Sequence, residues 1–109
     1  MAGVEPDGHD LAAWTVDTDA HGGAVVTVRG ELDIASVEQL EAAVAPLIAK
    51  RPHRMVVDVS GLRFADSSAI AMWVRWASVI GELELRDPSP LLRRVVASMG
   101  LEGKLRLST

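Results

Sequence analysis

The chain has 109 residues, 49% of them apolar, no cysteine and a formal net charge of −4. These figures imply one domain with a modest core and exclude disulfide and thiolate chemistry, as suits a cytoplasmic protein. The acidic balance excludes electrostatic capture of nucleic acid and points to a protein partner, and no apolar run approaches the ~20 residues of a membrane span.

Met1 to Asp10 is acidic and polar, with Gly3, Pro6 and Gly8, and resembles neither a signal nor a transit peptide. It is expected to be a flexible N-terminal tail, residues 1–10, ahead of a single domain at 11–109. Ala12 to Val16 predicts a short strand, and Asp17 to Gly23 a hairpin connection. Ala24 to Arg29 predicts a second strand, with Val25, Val26 and Val28 supplying β-branched bulk and Gly30 ending it.

A helix is expected next. Ser36 and Gln39 have the spacing of a capping box, and Val37, Leu40, Val44, Leu47 and Ile48 recur at helical intervals. Pro46 removes the bond to the Ala42 carbonyl, so the expectation is a kink near 42–46 or a break into two pieces. Met55 to Val59 predicts a central strand covered on both faces, followed by a turn. A second helix is expected from Ser67 to Ile80, stopped by Gly81, and a strand at Glu82 to Arg86. Ser89-Pro90 is a cap followed by proline in the first helical position. Leu91, Leu92, Val95, Val96 and Met99 would form the apolar face of that third helix, with Gly100 as its stop and Leu105 to Leu107 as a last short strand. The order β-β-α-β-α-β-α-β predicts an α/β fold with a mixed sheet of about five strands. Its first pair is antiparallel, and the helix-linked strands are parallel with right-handed crossovers.

The most informative stretch is Val56 to Ala71, where an apolar run stops and Asp66-Ser67-Ser68 opens an amphipathic segment. That places two hydroxyls at a helix N-terminus, where orphan N–H groups and the helix dipole favour negative charge. A serine there either caps the helix or carries a phosphate. Asp33, after the second strand, is expected at the same edge of the sheet as Asp66. On spacing alone, Asp66 or Ser67 caps the helix and Asp33 shapes a turn. Trp73 belongs to the buried face of the second helix. Trp76, about 60° round from it, is either an exposed interface anchor or packed at the edge of the core.

Enzyme signatures are absent: there is no Gly-x-Ser-x-Gly elbow, no phosphate loop and no His-Glu-x-x-His. His9, His21 and His53 fall in the tail, a turn and a loop, without the grouping of a metal site. Ser67 as a catalytic nucleophile would lack a base.

Three segments together resemble a known family. Gly30-Glu31-Leu32-Asp33, then Val57 to Ser68, then Ser89-Pro90-Leu91-Leu92-Arg93-Arg94-Val95 are similar in order and spacing to the STAS domain of bacterial anti-sigma factor antagonists. The resemblance runs from about Ala12 to Leu107. It implies a mixed sheet with helices packed mainly on one side, no cofactor and no enzymatic activity. It also implies that Ser67 is a phosphoacceptor, with Ser68 beside it and Asp33 near the phosphoserine. The partner it implies is an anti-sigma factor that is also an ATP-binding serine kinase. The unmodified antagonist captures that kinase and frees a sigma factor, phosphorylation releases the kinase, and a PP2C-type phosphatase resets the switch.

The sequence departs from the family at Ala69-Ile70-Ala71, where glycines are usual, at a single Gly81 where relatives often have two, and in having no helix after the last strand. The last departure would leave apolar surface for a partner or for a second copy in a homodimer. The alternative within the same fold is an unphosphorylated scaffold, similar to the accessory subunits of bacterial lipid-transport ATPases.

Overall fold

The structure is a computed structural model that describes residues 12–108. The expected tail at 1–10, with His9, lies outside them. The elements are β1 (Ala13–Thr18), β2 (Ala24–Leu32), α1 (Ile34–Ala49), β3 (Met55–Ala65), α2 (Ser67–Val79), β4 (Leu83–Arg86), α3 (Pro90–Ser98) and β5 (Arg106–Ser108).

The sheet order is β1-β2-β3-β4-β5. β1 runs antiparallel to β2, and every later neighbour is parallel. Each helical connection therefore steps one strand in the same direction. With right-handed crossovers, all three helices fall on one face of the sheet. Burial follows that geometry. Val26, Val28, Met55, Val57, Val59, Leu83, Leu85 and Leu105 point into the helical layer, where they meet Leu40, Val44, Trp73 and Val96. The alternate positions Asp58, Ser60, Glu84, Arg86 and Arg106 lie on the other face.

Two strands outrun their sequence signals. β2 continues through Gly30 to Leu32, and β3 continues through Ser60-Gly61 to Ala65 where a turn was expected. The cause is a bulged ladder. The β2–β3 register shifts between Thr27 and Arg29 and again between Gly30 and Glu31. Gly30 adopts φ 91 there. A Cβ on Gly61 would lie 2.9 Å from that of Arg29. Asp58 accepts the Ser60 N–H and hydroxyl, satisfying the backbone where the ladder is irregular. The two glycines are bulge residues rather than strand stops.

Two further expectations are corrected, and two sets of alternatives are narrowed. α1 is one helix of 16 residues that contains Pro46, which excludes the break into two pieces. Pro46 and Ala42 are both on the exposed side, so the orphaned Ala42 carbonyl faces water. The cap of α1 is Asp33, not Ser36, which sits three residues into the helix. Of the two positions open to Trp76, the structure gives the packed one, with 3% of the residue exposed. It lies under α1, beside Ala45 and Ile48, where Arg75 on α2 makes a forked ion pair with Glu41 on α1. The apolar face of α3 is narrower than its spacing predicts. Leu92 and Val96 are buried, whereas Leu91 and Met99 are exposed, because α3 sits over the short β4 and β5.

On the face away from the helices, Glu84 accepts from Ser108 Oγ and Arg54 Nη2 and lies 3.6 Å from Arg86 Nε. The Ser108 hydroxyl, then the neighbouring guanidinium groups, hold its carboxyl below the usual range against a smaller opposing effect of burial. A carboxyl with a depressed folded pKa stabilises fully above its unfolded value and loses that contribution as pH falls through the folded one. Glu84→Gln should therefore lower the urea midpoint at pH 7 and flatten the loss of stability below about pH 4.5. Equal acid sensitivity in both proteins would refute the assignment.

Candidate functional site at the α2 N-terminus

The site is built by the parallel ends of β2 and β3. Leu32 pairs with Ala65, and the Asp66 N–H donates to the Leu32 carbonyl at 3.1 Å. The next residue of each strand, Asp33 and Asp66, therefore opens α1 and α2 from adjacent positions. Both are extended residues whose carboxylates close the first helical turn, as N-cap chemistry requires.

Asp33 Oδ1 accepts from the Ser36 N–H and from the Ser36 hydroxyl, each at 3.0 Å, while the Asp33 N–H donates to Ser36 Oγ at 3.0 Å. The Ser36 N–H first, then its hydroxyl, hold the Asp33 carboxyl below the usual range, so it is a fixed negative charge. Asp66 Oδ1 accepts the Ser68 N–H at 2.9 Å and also the Ser68 hydroxyl. Ser67, between them, is the first residue of α2 and is exposed. No hydrogen bond among the described residues engages its Oγ. The first residues of the other two helices, Ile34 and Pro90, have no hydroxyl. Among the described residues, the hydroxyls at the starts of α1 and α3, Ser36 and Ser89, each take part in a helix-start hydrogen bond, whereas that of Ser67 does not.

Apolar side chains rim the same edge. Ile34 is 66% exposed, Phe64 50% and Leu91 64%. A groove of about 250 Å³ runs between the end of β3 and α3, lined by Leu62, Phe64, Ala65, Leu91, Leu92 and Val95. Arg63 and Glu31 pair across β2 and β3 at 3.4 Å.

The structure thus gathers Asp33, Asp66, Ser67 and Ser68 at one edge and leaves Trp76 out, nine residues along α2 or about 14 Å along its axis. Of the two alanines that follow at 69 and 71, Ala69 is fully buried, so its methyl fills the core. Ala71 lies one turn from Ser67 and is exposed. The apolar rim was not apparent from the sequence. Phe64 next to a charged residue at a strand end was its one signal, and helical spacing had assigned Leu91 to the core. Both described histidines, His21 and His53, precede the starts of β2 and β3 and so lie at the opposite edge. No cluster of three or more His, Asp or Glu among the described residues is placed to hold a metal.

These features define a STAS domain, and the chain belongs to that family: the family model described as "Mlab, STAS domain" matches residues 14–107. Proteins similar to it include anti-sigma factor antagonists. The anti-sigma-F factor antagonist RsfB of Mycobacterium tuberculosis is 28% identical over 92 residues, which span 82% of this chain and 75% of RsfB. The crystal structure of an anti-sigma factor antagonist from Mycobacterium paratuberculosis superposes with a TM-score of 0.80 at 26% identity, covering 91% of this chain and 86% of that one. The antagonist SpoIIAA in its unphosphorylated form gives 0.74 at 26% identity, covering 89% of each chain. The phosphorylated form of the Bacillus SpoIIAA shares the fold, at 0.72 and 24% identity over 89% of this chain and 92% of that one.

The hydrogen bonds at the site separate two roles. Asp66→Ala should lower unfolding free energy by about 1 kcal/mol through loss of the cap. Ser67→Ala should change it by less than about 0.5 kcal/mol, because Ser67 Oγ holds nothing. Urea titration of both variants checks this, and a Ser67→Ala cost equal to that of Asp66→Ala would assign the capping role to Ser67.

Proposed function

We propose that this anti-sigma factor antagonist works as a phosphorylation switch on Ser67. Unmodified, it binds an anti-sigma factor that is an ATP-dependent serine kinase, and so frees a sigma factor in the cytoplasm. Phosphorylated, it releases that kinase, and a PP2C-type phosphatase restores the binding form. The observation that carries this reading is the exposed, unbonded Ser67 hydroxyl at the start of α2. The family membership and the existence of a phosphorylated form of SpoIIAA support it.

The physics of the switch is local. A phosphoserine brings about −1.5 to −2 charges and strong acceptor oxygens. The N-terminus of α2 tolerates that charge, so the domain keeps its fold. The same edge already carries the Asp33 and Asp66 carboxylates, and the apolar rim of Ile34, Phe64 and Leu91 is the surface a partner would cover. A phosphate inside that contact must lose water and meets any acidic group of the partner. A loss of about 3 kcal/mol lowers affinity more than 100-fold.

Binding of the anti-sigma kinase from the same genome tests the reading. Ser67→Ala should bind like the unmodified protein and resist release by ATP, while Ser67→Asp should bind at least ~100-fold more weakly. Phe64→Ala and Leu91→Ala should each weaken binding about 10-fold or more while leaving the fold intact. A partner held equally by wild type and Ser67→Asp would remove the switch and favour the unphosphorylated scaffold.

A further inference from the structure

Two hydroxyls stand side by side at the start of α2, and the structure treats them differently. Ser67 is exposed and its Oγ has no hydrogen bond among the described residues. Ser68 is half-buried, and both its N–H and its hydroxyl go to the same oxygen, Asp66 Oδ1. The cap therefore does more than satisfy the helix end. It also fixes the rotamer of the neighbouring hydroxyl and holds its proton.

We infer that Asp66 selects Ser67 as the modified residue by holding the Ser68 hydroxyl against its own carboxylate. This rests on the phosphorylation reading above and adds the device that directs it. In the transfer, the serine Oγ forms a bond to the γ-phosphorus of a nucleoside triphosphate. The bond from that phosphorus to the β,γ-bridging oxygen breaks, leaving the diphosphate, and the hydroxyl proton passes to the kinase's base. Ser67 Oγ is free to turn toward an approaching phosphoryl group. Ser68 Oγ is held in a half-buried rotamer, and turning it outward to an approaching phosphoryl group gives up a charge-assisted hydrogen bond, which is stronger than a neutral one. Its product is also disfavoured, because a phosphate on Ser68 would face the Asp66 carboxylate across the contact the hydroxyl now makes. The helix turns by about 100° per residue, so the two serines point in different directions and exposure favours the same one. Asp66 is in this sense a positioning residue, and its effect falls on site choice.

The test combines two readouts. The first is phosphosite mapping of wild type, Ser67→Ala and the double variant Asp66→Gly/Ser67→Ala, each purified from the host with its own kinase. Glycine keeps the helix start within a few tenths of a kcal/mol of aspartate, so the double variant removes the carboxylate with little loss of cap. Matching circular dichroism and urea midpoints verify that it folds. Wild type should carry its phosphate on Ser67. Ser67→Ala should carry at least ~10-fold less on Ser68, and the double variant should regain Ser68 phosphate. Equal Ser68 phosphate with and without Asp66, or none in the folded double variant, overturns the selection. The second readout needs no kinase. In NMR spectra near neutral pH, the Ser68 hydroxyl proton should exchange slowly enough to be observed in wild type, and it should vanish in Asp66→Gly. Exchange as fast as at Ser67 overturns the inference directly. Wild type without phosphate in any growth condition would overturn the switch reading instead, and the hydroxyl measurement would still report on the Asp66–Ser68 contact.

Discussion

The parallel pairing of β2 and β3 is the constraint on which the site depends. Because the two strands end in register at Leu32 and Ala65, the residues that follow start two helices side by side. Aspartate at both positions closes the first turns, and the Asp66 N–H ties α2 back to β2. The bulges near Gly30 and Gly61 let both strands reach that edge, since the regular ladder is interrupted before it. A hydroxyl placed one residue after the cap is then held at the surface by backbone geometry alone. It needs no side-chain support.

That arrangement suits a charge-based device on a rigid support. Asp33 and Asp66 are committed to hydrogen bonds, Ser68 is committed to Asp66, and Ala69 packs into the core below them. What remains open is Ser67 and the apolar rim of Ile34, Phe64 and Leu91. Under the proposed switch, the site of modification and the docking surface would coincide, and one phosphate would act on binding without acting on the core. Trp73, fully buried in the core, and Trp76, covered by α1, fix α2 in place.

The element order, the sheet class and the placing of Asp66-Ser67-Ser68 at a helix start were legible in the sequence because they depend on local chemistry. Caps, hydrophobic periodicity and turn residues act within a few positions. The misplacements share a cause, which is that they depend on neighbours distant in the chain. Gly30 and Gly61 read as stops, yet their role is set by the bulged ladder between two strands. Trp76 sits off the main apolar stripe of α2, and only the position of α1 decides that it is covered. Leu91 fits the helical spacing of α3, but it faces the open groove between α3 and the end of β3, where nothing covers it. Ser36 has capping chemistry, and Asp33 takes the cap because β2 runs three residues further than its glycine suggests.

The account turns on one claim: that a phosphate at Ser67 changes surface charge and leaves the fold as it is. Comparing backbone amide spectra of the unmodified protein with those of protein carrying phosphoserine at position 67 tests this most directly. The account predicts shift changes confined to the start of α2, the ends of β2 and β3 and the first turn of α1. Changes running through the core around Trp73 and into β4 and β5 would contradict it, because modification would then be rearranging the domain.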